Sequence, residues 1–225
     1  MKHKLITKAT LKEWDACASG FKRFVELFPD GADLKTASLG LIDDGHADWS
    51  DWLWDKCVSS DDEAFRLQTV ATAGDWGAAT AGYMGTATAG DMGTAAAGYR
   101  GTATAGYRGT ATAGDGGTAT AGYRGTATAG YMGTATAGDM GTAAAGDMGT
   151  AAAGYRGTAT AGDGGTATAG YRGTATAGDG GTLIVKYWDK DAERYRIVVG
   201  YIGEAGLKPN VKYKLDDNHQ FIEVE

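Results

Sequence analysis

The sequence predicts a mainly β protein: a β-solenoid of 16-residue coils, about seven of them, with an α-helical N-terminal cap and a β-hairpin C-terminal cap. Three observations carry this prediction: an unbroken octapeptide period, two glycines in every octad, and threonine alternating with alanine between them. From Ala73 to Ile184 the chain divides into fourteen octads without insertion or deletion, with the consensus A-G-[Y/D]-x-G-T-A-T. A longer period lies above the octad, because residues 81–128 and 129–176 agree at 45 of 48 positions. A flexible linker has no reason to hold eight places in phase fourteen times. A solenoid does, since each unit buries its face only by stacking on its neighbours.

Residues 1–72 precede the repeat and read as a helical cap. Thr10 and Glu13 fit a capping box, and Leu11, Trp14, Ala18, Phe21, Val25 and Phe28 keep one apolar helical face up to Pro29. A second short helix is expected after Asp33. A third is expected from Asp48, with Trp49, Trp52, Leu53 and Cys57 on one side. These aromatics are read as core. Cys17 and Cys57, the only cysteines, are read as buried or idle thiols rather than a disulfide.

Within the repeat, helix is excluded because each glycine would cost about 1 kcal/mol in a helix interior. G-T-A-T reads as an extended segment and A-G-[Y/D]-x as a turn, with the second-place glycine expected to supply a positive φ. Alternation then sends the two threonines of each octad to one face and the glycine and alanine to the other. Eight residues cannot close a coil around an interior. Two octads give a flattened coil of sixteen with two parallel sheets, and three give a triangular coil of twenty-four. Sixteen is preferred, because twenty-four would stack Asp91, Asp115, Asp139 and Asp163 in one repulsive file.

After the repeat, residues 185–225 read as a β-rich cap with hairpins around Lys190–Glu193 and Asp217–Asn218. The ends of an open solenoid expose strand edges that invite aggregation, so unlike, non-repetitive ends are expected to act as caps.

The chain carries 21 basic and 28 acidic side chains, a net charge of −7. No segment is basic enough to follow a phosphate backbone, so nucleic acid is not an expected partner. No membrane span is visible, and the start lacks the apolar core of a secretory signal, which makes the cytoplasm the expected compartment. No metal or cofactor is expected. His3, His46 and His219 are scattered singly. Gly-Asp-Gly-Gly at 114–117, 162–165 and 178–181 is similar to calcium-binding nonapeptide repeats, but it follows a period of eight with a single aspartate. No Ser, Cys or His nucleophile constellation can be assembled from the repeats, so no enzyme is expected.

The wording A-G-Y-x-G-T-x-T-A-G-D-x-G-T-x-T resembles the central repeat of the bacterial ice nucleation proteins, whose consensus is close to AGYGSTQTAGEDSSLT with the same nested periods. The resemblance covers residues 73–184. It implies a 16-residue coil, threonine ladders that order water, and stacked tyrosines at a dimer seam. The implied water-organising residues on one face are Thr86, Thr88, Thr102, Thr104, Thr118, Thr120, Thr134, Thr136, Thr166 and Thr168. On the other face they are Thr110, Thr112, Thr126, Thr128, Thr158, Thr160, Thr174 and Thr176. The implied self-association residues are Tyr83, Tyr99, Tyr107, Tyr123, Tyr131, Tyr155 and Tyr171.

The sequence departs from the family: Tyr and Asp alternate irregularly, which breaks any continuous tyrosine ladder, and the array is far shorter. Ala78, Ala96, Ala144, Ala152 and Ile184 each remove a threonine, alanine replaces the family's larger residue between the threonines, and the ends are unlike the family's. The expectation is therefore a short ice-binding solenoid, antifreeze-like or weakly nucleating, with ice or ordered water as partner. The alternative is a rigid protein-interaction scaffold or inhibitor that grips a protein through its caps or its Tyr, Arg and Asp files.

Overall fold

A computed structural model describes residues 4–59, 70–82 and 84–224. Four helices come first: α1 (Lys8–Glu13), α2 (Ala18–Leu27), α3 (Leu34–Asp43) and α4 (Ala47–Ser59). The single helix expected over Leu11–Phe28 is broken in two. The capping box is formed by Thr7 and Thr10, one turn earlier than expected, and the chain reverses at Asp15, whose φ is 55°. Cys17 then caps α2, its sulfur accepting the Gly20 N–H. The break resets the helical phase, so Phe24 is buried while Ala18 is exposed. Asp33 caps α3 by accepting the Thr36 N–H. Ile6, Leu11, Phe24, Leu41, Leu53 and Trp54 form the core of this unit, with Trp14, Trp49 and Trp52 packed against it.

The repeat follows as β1 (Val70–Ala73), β2 (Ala78–Thr80), β3 (Thr86–Ala89), β4 (Thr94–Ala97), β5 (Thr102–Ala105), β6 (Thr110–Ala113) and β7 (Thr118–Ala121). It continues through β8 (Thr126–Ala129), β9 (Thr134–Ala137), β10 (Thr142–Ala145), β11 (Thr150–Ala153), β12 (Thr158–Ala161), β13 (Thr166–Ala169) and β14 (Thr174–Thr176). Odd strands through β13 lie parallel in one sheet and even strands in the other. Each strand pairs with the one sixteen residues on, as Thr102 with Thr118 and Thr110 with Thr126. The coil is therefore sixteen residues.

The strand is T-A-T-A, one place later than expected, so the first-place alanine belongs to the strand and not to the turn. Both alanines point inward: Ala103, Ala119 and Ala135 are wholly buried, and Ala105, Ala121 and Ala137 nearly so. Alanine, with the fifth-place glycines such as Gly109 and Gly125 buried beside it, is the core of the coils.

The turn also differs from expectation. The positive φ falls at the fourth place, on Arg108 (52°), Arg124 (55°) and Met140 (57°) among others, and on glycine only at Gly116, Gly164 and Gly180. That is the sign a type II turn needs at its third residue. It aims the fourth-place N–H along the solenoid, where Arg108 N donates to Tyr123 O at 2.9 Å and Arg124 N to Asp139 O at 2.9 Å. A bond per turn to the next coil offsets the strain of a side chain in the left-handed region. The second-place glycines serve a different need. A Cβ on Gly122 would lie 2.8 Å from the Gly106 carbonyl oxygen and 3.1 Å from Tyr107 N in the coil beneath.

Beyond the coils, β15 (Thr182–Asp189) joins the odd sheet and turns back antiparallel into β16 (Arg194–Tyr201). The short hairpin of β17 (Tyr213–Leu215) and β18 (Phe221–Glu223) extends the even sheet. Leu183, Val185, Ile202, Leu207 and Tyr213 close the alanine core at this end. At the other end Trp54 packs over Gly82, Met84 joins the helical core, and Arg100 reaches Asp51 at 3.2 Å.

Candidate functional site

The coils present four surfaces: two flat sheet faces and two turn edges. Because pairing is in register, threonines stack on threonines. On the odd sheet the sixth-place file runs Thr86, Thr102, Thr118, Thr134, Thr150, Thr166 and Thr182 without interruption. Its companion file holds Thr72, Thr88, Thr104, Thr120 and Thr136, then Ala152, Thr168 and Ile184. The even sheet carries Thr110/Thr112, Thr126/Thr128, Thr158/Thr160 and Thr174/Thr176, interrupted by Ala96 and Ala144.

Every threonine singled out from the sequence thus lies on the sheet face expected for it. The two faces are not equivalent. The odd sheet offers four consecutive complete pairs in β3, β5, β7 and β9, and the even sheet never more than two. Strand geometry sets the hydroxyls ~7 Å apart along a strand and ~5 Å apart between coils. Thr104 and Thr120 are half-buried, as is every repeat threonine from Thr158 onward, while the others singled out are exposed, and Thr174 donates its hydroxyl to Thr158 at 3.2 Å.

The edges separate charge, which the octad pattern alone does not reveal. One edge carries Arg108, Arg124, Arg156 and Arg172 beside Tyr107, Tyr123, Tyr155 and Tyr171, with Asp75, Asp91 and Asp139. The opposite edge carries Asp115, Asp147, Asp163 and Asp179 with Arg100 as its only arginine. On the arginine edge Tyr107 and Tyr123 stack with centroids 5.6 Å apart, Tyr155 and Tyr171 lie 6.0 Å apart, and Tyr171 continues onto Tyr195 of the cap at 5.9 Å. Asp139 divides the two pairs. Tyr99 and Tyr131 stand on the other edge, where the Tyr131 hydroxyl donates to the Met148 sulfur at 3.2 Å. Tyr83 and His3 lie outside the described residues.

The aspartates have a structural task. Six of the seven carboxylates, all but Asp179, accept the backbone N–H of the residue one coil on, as Asp115 from Tyr131 at 2.8 Å, Asp139 from Tyr155 at 2.7 Å and Asp163 from Asp179 at 2.8 Å. This bond offsets the like-charge contact in the file Asp147, Asp163, Asp179. Among the described residues no group of three or more His, Cys, Asp or Glu side chains is placed to hold a metal ion. His46 stacks on Trp49 at 3.8 Å and His219 lies 3.8 Å from Tyr187.

In the helical unit a cavity of about 330 Å³ opens between Phe24, Trp49, Trp52 and Leu53, with Cys17 at its rim. Cys17 and Cys57 are both free thiols. Hydrogen bonds from Ser19 and Gly20 lower the Cys17 pKa, whereas burial pushes the Cys57 thiol up to about 12. No helix among the described residues is long and apolar enough to cross a membrane.

The architecture defines the class: a capped two-sheet β-solenoid built from a tandem octapeptide repeat. The helical unit matches a family model described as the YdhT N-terminal domain, over residues 1–60. No curated protein and no solved structure matches the chain. The family-model match covers the helical unit alone and shows no ice nucleation repeat family.

Proposed function

We propose that the protein is a non-enzymatic, ice-binding solenoid whose odd-sheet threonine face holds surface water in a lattice-like array. One observation carries the reading: four consecutive strands, β3 to β9, each present a complete Thr-Ala-Thr pair in strict register. Small inward residues account for the coil, and a β-branched residue accounts for the strand. Neither demands a hydroxyl at both outward places. A rigid backbone ladder that fixes hydroxyl and methyl groups on a grid supports a solid, periodic partner over a flexible one. The short array favours antifreeze-like behaviour over strong nucleation. Replacing Thr104, Thr120 and Thr136 together by lysine tests it: thermal hysteresis and ice shaping should be abolished while the fold persists. Wild-type protein that neither shapes ice nor raises its freezing temperature refutes the proposal.

The gathering of four of the five repeat arginines beside tyrosines on one edge favours a second reading, a rigid scaffold that grips an acidic protein along the Tyr/Arg edge. In that case binding survives the threonine changes and is lost when Arg108 and Arg124 are changed to glutamate.

A further inference from the structure

We propose that β16 is the contact strand of a symmetric homodimer, pairing antiparallel with β16 of a second copy of this chain. β16 ends the odd sheet, and it is eight residues long. The even sheet ends instead in the three-residue β18. Ile202 N donates to Gly181 O at 2.9 Å, which fixes the parity of the ladder. Residues 198, 200 and 202 turn their backbone groups toward β15, and Tyr195, Ile197, Val199 and Tyr201 turn theirs to the open edge. The same four residues carry their side chains on the outer face, 53, 58, 41 and 54 % exposed. The opposite face is closed, since even a Cβ on Gly200 would strike Leu207 and Phe221 at 2.6 and 2.7 Å. No proline or lysine interrupts the strand; its two charges, Arg194 and Arg196, lie in its first half on the face opposite the stripe, Arg196 held by Asp189 at 2.6 Å, and from Ile197 to Tyr201 nothing blunts the edge.

The stripe identifies its own partner. Read along β16 it is aromatic, β-branched, β-branched, aromatic, the same in either direction. A two-fold axis through Val198 sets Tyr195 opposite Tyr201 of the second copy and Ile197 opposite its Val199. An isologous contact requires this self-complementarity, and aromatic and β-branched pairs stabilise antiparallel strands. The same register places edge-facing residues opposite edge-facing residues, so Ile197 and Val199 can exchange N–H···O bonds with their counterparts, while the Tyr201 carbonyl already accepts the Glu204 N–H at 3.0 Å.

The stripe exposes roughly 400 Å² per copy, taking about 200 Å² for a complete aromatic side chain, and edge-to-edge pairing covers only the part that flanks the new ladder. A stable interface needs about 800 Å² per partner. With the edge backbone groups added, the expected complex is reversible rather than obligate. An axis normal to the sheet keeps both outer faces on one side, so the two odd sheets run on as one. The pairing stands independently of what the threonine faces bind, and it is distinct from the tyrosines of the turn edges.

Sedimentation velocity of the full chain from about 1 to about 100 µM spans the micromolar affinities at issue. The wild type should convert from monomer to dimer across the range, while Ile197→Lys and Val199→Pro should weaken dimerisation at least tenfold. Val199→Pro removes an N–H that faces the open edge, a position where an edge strand tolerates proline. A second measurement needs no disruptive change. In a Cys17→Ser background, Val198→Cys sits on the axis, where a non-hydrogen-bonded pair brings Cα atoms to ~4.5 Å, within disulfide reach. Mild oxidation should cross-link it to a dimer, and Lys186→Cys on the neighbouring strand should stay monomeric. A wild type that is monomeric throughout, a dimer unaffected by both edge variants, or Val198→Cys cross-linking no faster than Lys186→Cys each overturns the proposal.

Discussion

Replacing Gly122 by alanine places a methyl group where the coil beneath leaves no room. The new Cβ would lie 2.8 Å from Gly106 O, 2.9 Å from Gly106 C and 3.1 Å from Tyr107 N. All three atoms are backbone, so no side chain can swing aside. The coils must part instead, stretching the bonds that Gly122 N donates to Ala105 O and Gly106 O at 3.1 and 3.2 Å. Overpacking of a close-packed interior costs ~1–3 kcal/mol, and a rigid obstacle puts this case at about 2–3 kcal/mol. At roughly 2–4 °C per kcal/mol for a chain of this size, the melting temperature should fall by about 5–10 °C. Gly180→Ala is the control. Its φ is +62° and nothing lies within 4 Å of the added Cβ, so only the left-handed strain of about 1 kcal/mol remains. Far-UV circular dichroism melts of the two variants beside the wild type measure the difference. If Gly122→Ala loses no more than Gly180→Ala, close approach between coils is not what the second-place glycine is for.

Asp115→Ala should cost ~0.5–1.5 kcal/mol in a denaturant melt, because the Tyr131 N–H loses its acceptor. Asp115→Asn, which keeps an acceptor oxygen, should recover most of it. Iodoacetamide at mildly alkaline pH should alkylate Cys17 in the folded protein and reach Cys57 only on unfolding, with peptide mass spectrometry as the readout. Two groups set the pH window. Cys57 has a folded pKa raised from 9.0 to about 12, so its contribution is complete below 9.0 and is lost as pH climbs toward 12. Asp44 is held below the usual carboxylate value by the Arg23 guanidinium, so its contribution is lost as pH falls through the carboxylate range. Chemical denaturation across pH should show the helical unit most stable between those limits.

The repeat was legible because its period is a direct image of its geometry. Alanine inward and threonine outward follow from alternation, and sixteen residues per coil rather than twenty-four follows from keeping Asp91, Asp115, Asp139 and Asp163 out of one file. The turn was not. Glycine at the second place has two explanations, a positive φ or a near neighbour, and only the position of Gly106 beneath Gly122 decides between them. The positive φ sits instead on Arg108 and Met140, residue types that give no hint of it. The break between α1 and α2 was hidden because Leu11, Trp14, Phe21 and Phe28 preserve a helical rhythm across Asp15. The open stripe of β16 was equally hidden. Tyr195, Ile197, Val199 and Tyr201 are the apolar half of an alternating strand, and alternation alone would send them inward. They face out because Leu207, just past the strand, and Phe221, from the last hairpin, close over Gly200.

Ice-affinity partition of the purified wild type, beside the triple lysine variant of Thr104, Thr120 and Thr136, tests the ice-binding reading most directly. The wild type should be enriched in a slowly grown ice fraction and the variant left in the liquid with an inert control protein. A wild type that stays in the liquid with the control contradicts it.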